Sequence, residues 1–223
     1  MRPRPWVAVL LDENTSAGGT RYEAAKGYFL GVTRAGGLPF GLPYDPGAVE
    51  TAVEKFDALL LPGGRYAMPD AWYEGDAAPS PATERLDVEI ALAKGFLAAD
   101  KPVLGICAGM QVLAALHGAK LTAQVTGHNE RGRQHAVRIV PGSRLAGLVG
   151  EALSVNTFHN EAVVEPGATT VSAWSDDGII EAVELPERRF ALGIQWHQEL
   201  FAHEEHRGNA VFRGLVDACG RES

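Results

Sequence analysis

Residues 102–118 read PVLGICAGMQVLAALHG, and the spacing of the apolar residues changes within this stretch. The segment Val103–Ile106 is an apolar run of strand length that follows a proline. Beyond Cys107 the pattern repeats every three or four residues, which predicts a helix that ends near Gly118, a C-cap candidate. The side chains on this helical face are those of Met110, Leu113, Ala114 and His117.

The cysteine lies between two glycines, in Gly105-Ile106-Cys107-Ala108-Gly109, where the predicted strand gives way to the helix. This layout matches the G-x-S-x-G nucleophile elbow, in which a strained turn raises the nucleophile above the sheet. The N–H groups at the start of the following helix favour the negatively charged thiolate. A lone cysteine at a strand end is more often a small buried apolar residue, but the paired glycines favour a nucleophile here.

A cysteine nucleophile needs a general base and a group that orients it. His197 follows the apolar segment 190–196, at the strand end where open parallel sheets place their sites. Glu199 could accept the other ring N–H and stabilise the imidazolium. A His-x-Glu pair alone is more often a solvated surface pair, so the hypothesis of a Cys107, His197, Glu199 triad depends on the elbow.

Negative charge that develops on a carbonyl oxygen during attack needs two N–H donors. The Ala108 N–H, directly after the cysteine, is the first candidate. The second comes from Gly63 or Gly64, at the end of another predicted strand, because glycine lets the backbone approach a ligand closely. The alternative interpretation of these glycines is an ordinary tight turn.

Strands alternate with helices in the first half of the chain, which predicts an α/β fold with a mainly parallel central sheet and helices on both faces. Thr20 is the predicted N-cap of the first helix, in which Tyr22 and Val32 share a face. The second half has six predicted strands with little helix between them, which predicts a smaller antiparallel sheet there. Residues 1–223 are interpreted as a single domain, and an amphipathic segment starting at His203 closes the chain.

Composition excludes several classes of function. The formal charge of -8 argues against nucleic acid as a partner, and no apolar run has the roughly 18 residues of a membrane span. The two cysteines, Cys107 and Cys219, form no disulfide framework, and the N-terminal apolar run lacks a cleavage site, so we expect a cytoplasmic protein. A homodimer is left open.

No metal site is predicted. The histidines of His203-Glu204-Glu205-His206 are three residues apart and not the four of the zinc motif, so this stretch is interpreted as a solvated helix start. The polar residues between His128 and His135 are interpreted as a loop.

Three motifs, GICAGMQ at 105–111, GIQWHQE at 193–199 and LPGG at 61–64, resemble those of class I glutamine amidotransferases over the whole chain. Within that superfamily, which has a flavodoxin-like fold, the chain is most similar to the gamma-glutamyl-gamma-aminobutyrate hydrolase (peptidase C26) family. The stretches that carry this second resemblance are LPGGRYAMP at 61–69, RLDVE at 85–89, VNTFHNE at 155–161 and DDGIIEAVE at 176–184.

The resemblance implies Cys107 as nucleophile, His197 as base and Glu199 as its orienting group, and no metal or organic cofactor. It also implies that Gln111 and the backbone near Asn160 and Glu161 contact the glutamyl group. The sequence departs from the family pattern at three positions near the expected substrate pocket. These are Tyr66 for an acidic residue, Gln198 for the proline between the histidine and glutamate, and Glu161 for a glutamine.

The function implied is cysteine-dependent hydrolysis of small-molecule γ-glutamyl amides through a glutamyl thioester. Two alternatives remain. A glutaminase subunit that supplies ammonia to a separate synthetase would turn over glutamine faster in the complex. An inactive γ-glutamyl-binding protein would leave Cys107 unreactive toward a glutamine-like electrophile.

Overall fold

A computed structural model describes residues 4–13, 21–77, 80 and 83–220 of the chain. The strands are β1 (Trp6–Leu10), β2 (Asp12–Glu13), β3 (Tyr22–Glu23), β4 (Leu38–Leu42), β5 (Ala58–Leu61), β6 (Val103–Ile106), β7 (Lys120–Thr122), β8 (Asn129–Ile139), β9 (Ala152–Phe158), β10 (Ala162–Glu165), β11 (Thr170–Ser175), β12 (Ile180–Glu184) and β13 (Ala191–Ile194). The helices are α1 (Lys26–Arg34), α2 (Val49–Lys55), α3 (Arg85–Ala98), α4 (Ala108–Ala115), α5 (Arg144–Val149) and α6 (Ala210–Ala218). Among these helices, none combines the length and the apolar character that crossing a membrane demands.

Nine strands form one mixed sheet in the order β4-β1-β5-β6-β13-β12-β11-β8-β9. The strands from β4 to β13 in this order pair in parallel, and those beyond β13 pair antiparallel. The α/β class, the mainly parallel centre and the antiparallel strands of the second half are therefore confirmed. Most of these antiparallel strands extend the central sheet, and β7 and β10 form a separate pair.

Helices cover both faces of the sheet because consecutive strand residues point to opposite sides. On β1, Val7 packs in one buried cluster with Val32 of α1 and Leu215 of α6. Its neighbour Ala8 packs in another cluster, with Leu92 of α3. Strands β5, β6 and β13, and β1 beyond Trp6, are buried on both faces, which explains why they read as continuous apolar runs. The edge strand β4 is partly exposed.

The first helix starts later than the sequence predicts. It begins at Lys26, and the predicted N-cap Thr20 lies outside the described residues. Tyr22 is not helical, although its spacing predicts a helix, because β3 pairs with β2 and the Tyr22 ring packs edge-on against Tyr44, 4.8 Å between centroids.

Two expectations for the second half are wrong. The polar stretch from Asn129 is not a loop, because it pairs with β9 as the first part of β8. Its residues do not alternate between apolar and polar, so the sequence pattern does not indicate a strand. The chain after His203 is not yet helical, and α6 begins only at Ala210. The side chain of His206 accepts a hydrogen bond from the Gly208 N–H, which starts a short 3-10 turn before the helix.

Candidate active site

Cys107 lies in a strained turn between β6 and α4. Its backbone has φ 51° and ψ -109°, a conformation that L-residues rarely adopt and that costs on the order of 1–3 kcal/mol. The flanking glycines are required by close packing. A Cβ at Gly105 would lie 2.5 Å from the carbonyl oxygen of Gly109, and a Cβ at Gly109 would collide with the backbone of Leu61.

His197 reaches the cysteine because β6 and β13 are neighbouring parallel strands, paired up to Ile106 and Ile194. Its Nδ1 lies 2.6 Å from Oε1 of Glu199, so this ring nitrogen carries the hydrogen. The backbone of His197 is bound at both ends by Asn156, whose Oδ1 accepts from the His197 N–H (3.0 Å) and whose Nδ2 donates to the His197 carbonyl (2.8 Å).

The electrostatics of this site favour a protonated imidazole. Burial alone would lower the pKa of His197, but the charge of Cys107, a hydrogen bond between these two side chains, and Glu199 together hold the pKa well above its usual value. The raised pKa of His197 favours a charged ring beside the sulfur, the position from which an imidazole activates a cysteine nucleophile. Cys107 is 8% exposed, at the carboxyl end of its strand.

Gly63 lies against both reactive side chains. A Cβ at this position would be 2.6 Å from Cε1 of His197 and 3.4 Å from Cβ of Cys107. Its N–H donates to the Tyr28 hydroxyl at 3.0 Å. A cavity of about 480 Å³ opens here; it is lined by Asp12, Glu23, Ala24, Ala25, Tyr28, Pro62, Gly63, Gly64 and His197.

The loop that carries Gly63 is held in place by Arg85, a fully buried residue of α3. Its Nη2 donates to the Pro62 carbonyl at 2.7 Å and its Nη1 to the Gly63 carbonyl at 3.0 Å. Glu89 balances the charge, since its Oε2 accepts from Nε of Arg85 at 2.9 Å and from the Tyr66 hydroxyl at 2.6 Å. Tyr66, one of the three departures, therefore completes a buried ion pair and does not face the cavity.

Gln111 and Glu161 are joined directly, because Nε2 of Gln111 donates to the Glu161 carbonyl at 3.0 Å. The Glu161 side chain accepts from the Tyr73 hydroxyl, and its pKa is raised chiefly by burial. Asn160 is exposed beside it, and its backbone carbonyl accepts from the Val125 N–H at 2.7 Å. Asn160 and Glu161 line a cavity of about 360 Å³, which we call the glutamyl cavity; its other lining residues are Arg65, Ala123, Gln124, Val125 and Thr126.

The structure thus brings together Cys107, His197, Glu199 and Gly63, and it places Gln111 and Glu161 in contact with each other. Sequence reasoning gave no individual role to Arg85 or Tyr28. The i, i+4 spacing of Arg85 and Glu89 on a predicted helix is a signal that could have indicated their pairing. For Tyr28 we find no such signal.

Gln198, which stands between the histidine and the glutamate, is fully buried. Its Oε1 accepts from Nε1 of Trp196 at 2.9 Å, and its Nε2 donates to Oδ1 of Asn209 at 2.9 Å. These contacts tie the turn after His197 to the start of α6. Hydrogen bonds can therefore hold the turn in the absence of the expected proline.

Comparison with known proteins identifies relatives of this chain. One relative is a Mycobacterium tuberculosis protein with the provisional name glutamine amidotransferase Rv2859c. It is 37% identical over 218 residues, which are 88% of this chain and 68% of that protein. The gamma-glutamyl-gamma-aminobutyrate hydrolase PuuD of Escherichia coli is 29% identical over 96% of this chain and 93% of its own. A solved glutamine amidotransferase from Thermotoga maritima has the same fold, with a TM-score of 0.65 at 18% identity over 98% of this chain and 97% of that one.

The family model of Peptidase C26 matches residues 7–199, which include every candidate catalytic residue. Relatives from Escherichia coli are named gamma-glutamyl-gamma-aminobutyrate hydrolase, and the Mycobacterium tuberculosis relative is named as a glutamine amidotransferase. The chain therefore belongs to the Peptidase C26 family and is a glutamine amidotransferase-like hydrolase of C–N amide bonds.

Proposed function

We propose that this chain hydrolyses γ-glutamyl amides of small amines through a glutamyl thioester on Cys107. The observation that carries the proposal is the strained cysteine beside an imidazole whose Nδ1 lies 2.6 Å from Glu199. Similarity to a relative named gamma-glutamyl-gamma-aminobutyrate hydrolase supports the substrate class.

In the first step, the Cys107 sulfur attacks the γ-carbonyl carbon of the substrate. The C–N bond breaks as His197 gives its proton to the departing amine, and a thioester forms. Glu199 keeps the ring oriented and stabilises its positive charge.

The oxyanion of this step needs two donors, each contributing on the order of 3 kcal/mol. The N–H of Ala108, at the start of α4, is one. The Gly63 N–H already donates to Tyr28, which favours the neighbouring Gly64 as the second. Arg85 supports this role because it holds the Gly63 carbonyl, and the Gly64 N–H of the same trans peptide points in the opposite direction.

In the second step, the same imidazole removes a proton from water, which attacks the thioester and releases glutamate. The glutamyl group is held by Gln111 and by the backbone near Asn160 and Glu161, beside the cavity of about 360 Å³. This cavity suits a small-molecule substrate.

A second candidate is release of ammonia from glutamine for a separate synthetase. The provisional name of the Mycobacterium tuberculosis relative favours it. The two functions share the thioester chemistry and differ in the amine that leaves.

The test is glutamate release from a panel of γ-glutamyl amines and from glutamine. We expect turnover of γ-glutamyl amines that exceeds turnover of glutamine and that falls at least about 10³-fold in Cys107→Ala. Cys219→Ala is the matched control, because burial raises the pKa of that thiol to about 12 and its sulfur donates to the Leu215 carbonyl. Equal turnover by wild type and Cys107→Ala would overturn the proposal, and turnover of glutamine alone would favour the second candidate.

A further inference from the structure

Four ionisable side chains that the proposed reaction does not use meet behind the glutamyl cavity. His128 precedes β8, His135 lies on β8, His159 follows β9 and Glu181 lies on β12. The exposed fractions of His128, His159 and Glu181 are 2%, 3% and 0%. Burying such groups is costly unless each polar atom has a partner.

Hydrogen bonds to Asp177 and to the Glu161 carbonyl fix the tautomers of two of these histidines. Nε2 of His128 lies 2.9 Å from Oδ2 of Asp177, and Nδ1 of His159 lies 3.0 Å from the carbonyl oxygen of Glu161. Both partners are acceptors, so both ring nitrogens carry a hydrogen. In the neutral rings, Nδ1 of His128 and Nε2 of His159 are then left with lone pairs, and these atoms are 3.1 Å apart.

A carboxylate oxygen lies close to the same two ring nitrogens. Oε1 of Glu181 lies 3.3 Å from Nδ1 of His128 and 3.5 Å from Nε2 of His159. Neither Glu181 oxygen has a hydrogen-bond partner within the part of the chain that the structure describes. Three electron-pair donors that face each other in a buried space require a positive charge between them.

The separations are those of a tetrahedral metal site. Zinc binds histidine nitrogen and carboxylate oxygen at about 2.0–2.2 Å, so the ligand atoms of a tetrahedral site are about 3.3–3.6 Å apart. From the separations of 3.1, 3.3 and 3.5 Å, a point about 2.1 Å from all three atoms lies about 0.9 Å out of their plane. The ligand atoms therefore need little movement to accept an ion.

We propose that Nδ1 of His128, Nε2 of His159 and Oε1 of Glu181 bind a divalent transition-metal ion, with zinc as the ion that suits this donor set best. Asp177 and the Glu161 carbonyl supply the outer partners that orient metal-bound histidines. His135 lies at the edge of the site, with Nε2 at 3.4 Å from Oε1 of Glu181.

The ion has a structural role next to the glutamyl cavity. The Glu161 carbonyl accepts from Nδ1 of His159 and also from Nε2 of Gln111. Fixing the His159 ring therefore fixes the peptide that the glutamyl group is proposed to contact. The site itself does not depend on the proposed function, because no reacting atom touches it.

The test is the zinc content per chain, measured by elemental mass spectrometry. The protein is purified without a metal-affinity column or chelator, and the measurement is repeated after apo protein has been titrated with zinc. We expect about one zinc per chain in wild type. His128→Gln, His159→Gln and Glu181→Gln lose it, whereas the exposed-histidine control His203→Gln keeps it. Cys107→Ser also keeps it, which separates this site from the catalytic thiol.

Thermal unfolding gives a second measurement of zinc binding. An ion that binds only the folded chain raises Tm as its concentration rises, so zinc should raise the Tm of apo wild type and of Cys107→Ser. Folded wild type that takes up no zinc would overturn the proposal and would indicate a proton shared between the two imidazoles. Zinc that is lost in Cys107→Ser, or retained in folded Glu181→Gln and His128→Gln, would equally overturn it.

Discussion

The Arg85 guanidinium donates a 3.0 Å hydrogen bond to the carbonyl oxygen of Gly63. Through this contact a fully buried charge on α3 controls which way a peptide beside the reactive cysteine faces. A flat guanidinium can hold Pro62 and Gly63 while it also pairs with Glu89, which a lysine ammonium cannot do with the same geometry.

We therefore expect Arg85→Lys to lower kcat by about 10- to 100-fold with a smaller change in KM, because it disturbs transition-state donors and not substrate contacts. Arg138→Lys, at an exposed ion pair, is the control and should leave both constants unchanged. A change in KM alone would contradict this role. Steady-state kinetics on both variants is the measurement.

Gly63 should not tolerate a side chain. A Cβ there would lie 2.6 Å from Cε1 of His197, so we expect Gly63→Ala to lose at least about 10²-fold in kcat/KM while remaining folded. Gly147→Ala is the matched control, because its Cβ meets nothing within 4 Å on helix α5. It should keep full activity and gain about 0.5–1 kcal/mol in the free energy of unfolding. Full activity in Gly63→Ala would show that the loop does not abut the reacting atoms.

Glu199→Gln keeps the size of the side chain but removes its charge. The amide can still contact Nδ1 of His197, yet it no longer stabilises the imidazolium, so we expect kcat to fall by on the order of 10³- to 10⁴-fold. Circular dichroism should show an unchanged fold. A loss of less than tenfold would mean that Glu199 does not orient the base.

The protonation of His197 should depend on the cysteine. Because the charge of Cys107 and a hydrogen bond to it raise the pKa of His197, Cys107→Ser should lower that pKa. Glu199 still raises it in the variant, and burial still lowers it. A pH titration of the ring carbon resonance by NMR, in wild type and variant, measures the difference. A pKa that is equal or higher in Cys107→Ser would contradict the ion pair.

The local sequence pattern was sufficient to predict the turn at Cys107, because the strand, the glycines and the helix lie within one short segment. The pairing of β6 with β13 then brings in His197 from a distant part of the chain. This outcome could be expected, since both strands are apolar runs that end in a chemically reactive residue.

Tertiary contacts between distant segments of the chain could not be predicted from the sequence. The Arg85 interaction with the Gly63 loop joins residues whose sequence gives no reason for them to meet. The same holds for His128, His159 and Glu181, which come from three different segments. The first half of strand β8 has the polar composition of a loop, and only its hydrogen bonds to β9 define it as a strand.

The most direct test is the mass of the chain after rapid quenching with a γ-glutamyl amide, and after incubation with a chloroketone analogue of glutamine. We predict one glutamyl group on the quenched wild type, mapped by peptide digestion to Cys107, and one molecule of analogue on the same residue. Cys107→Ser should carry neither. Hydrolysis that continues in Cys107→Ser, or a wild type whose sulfur takes up neither group, would contradict the account.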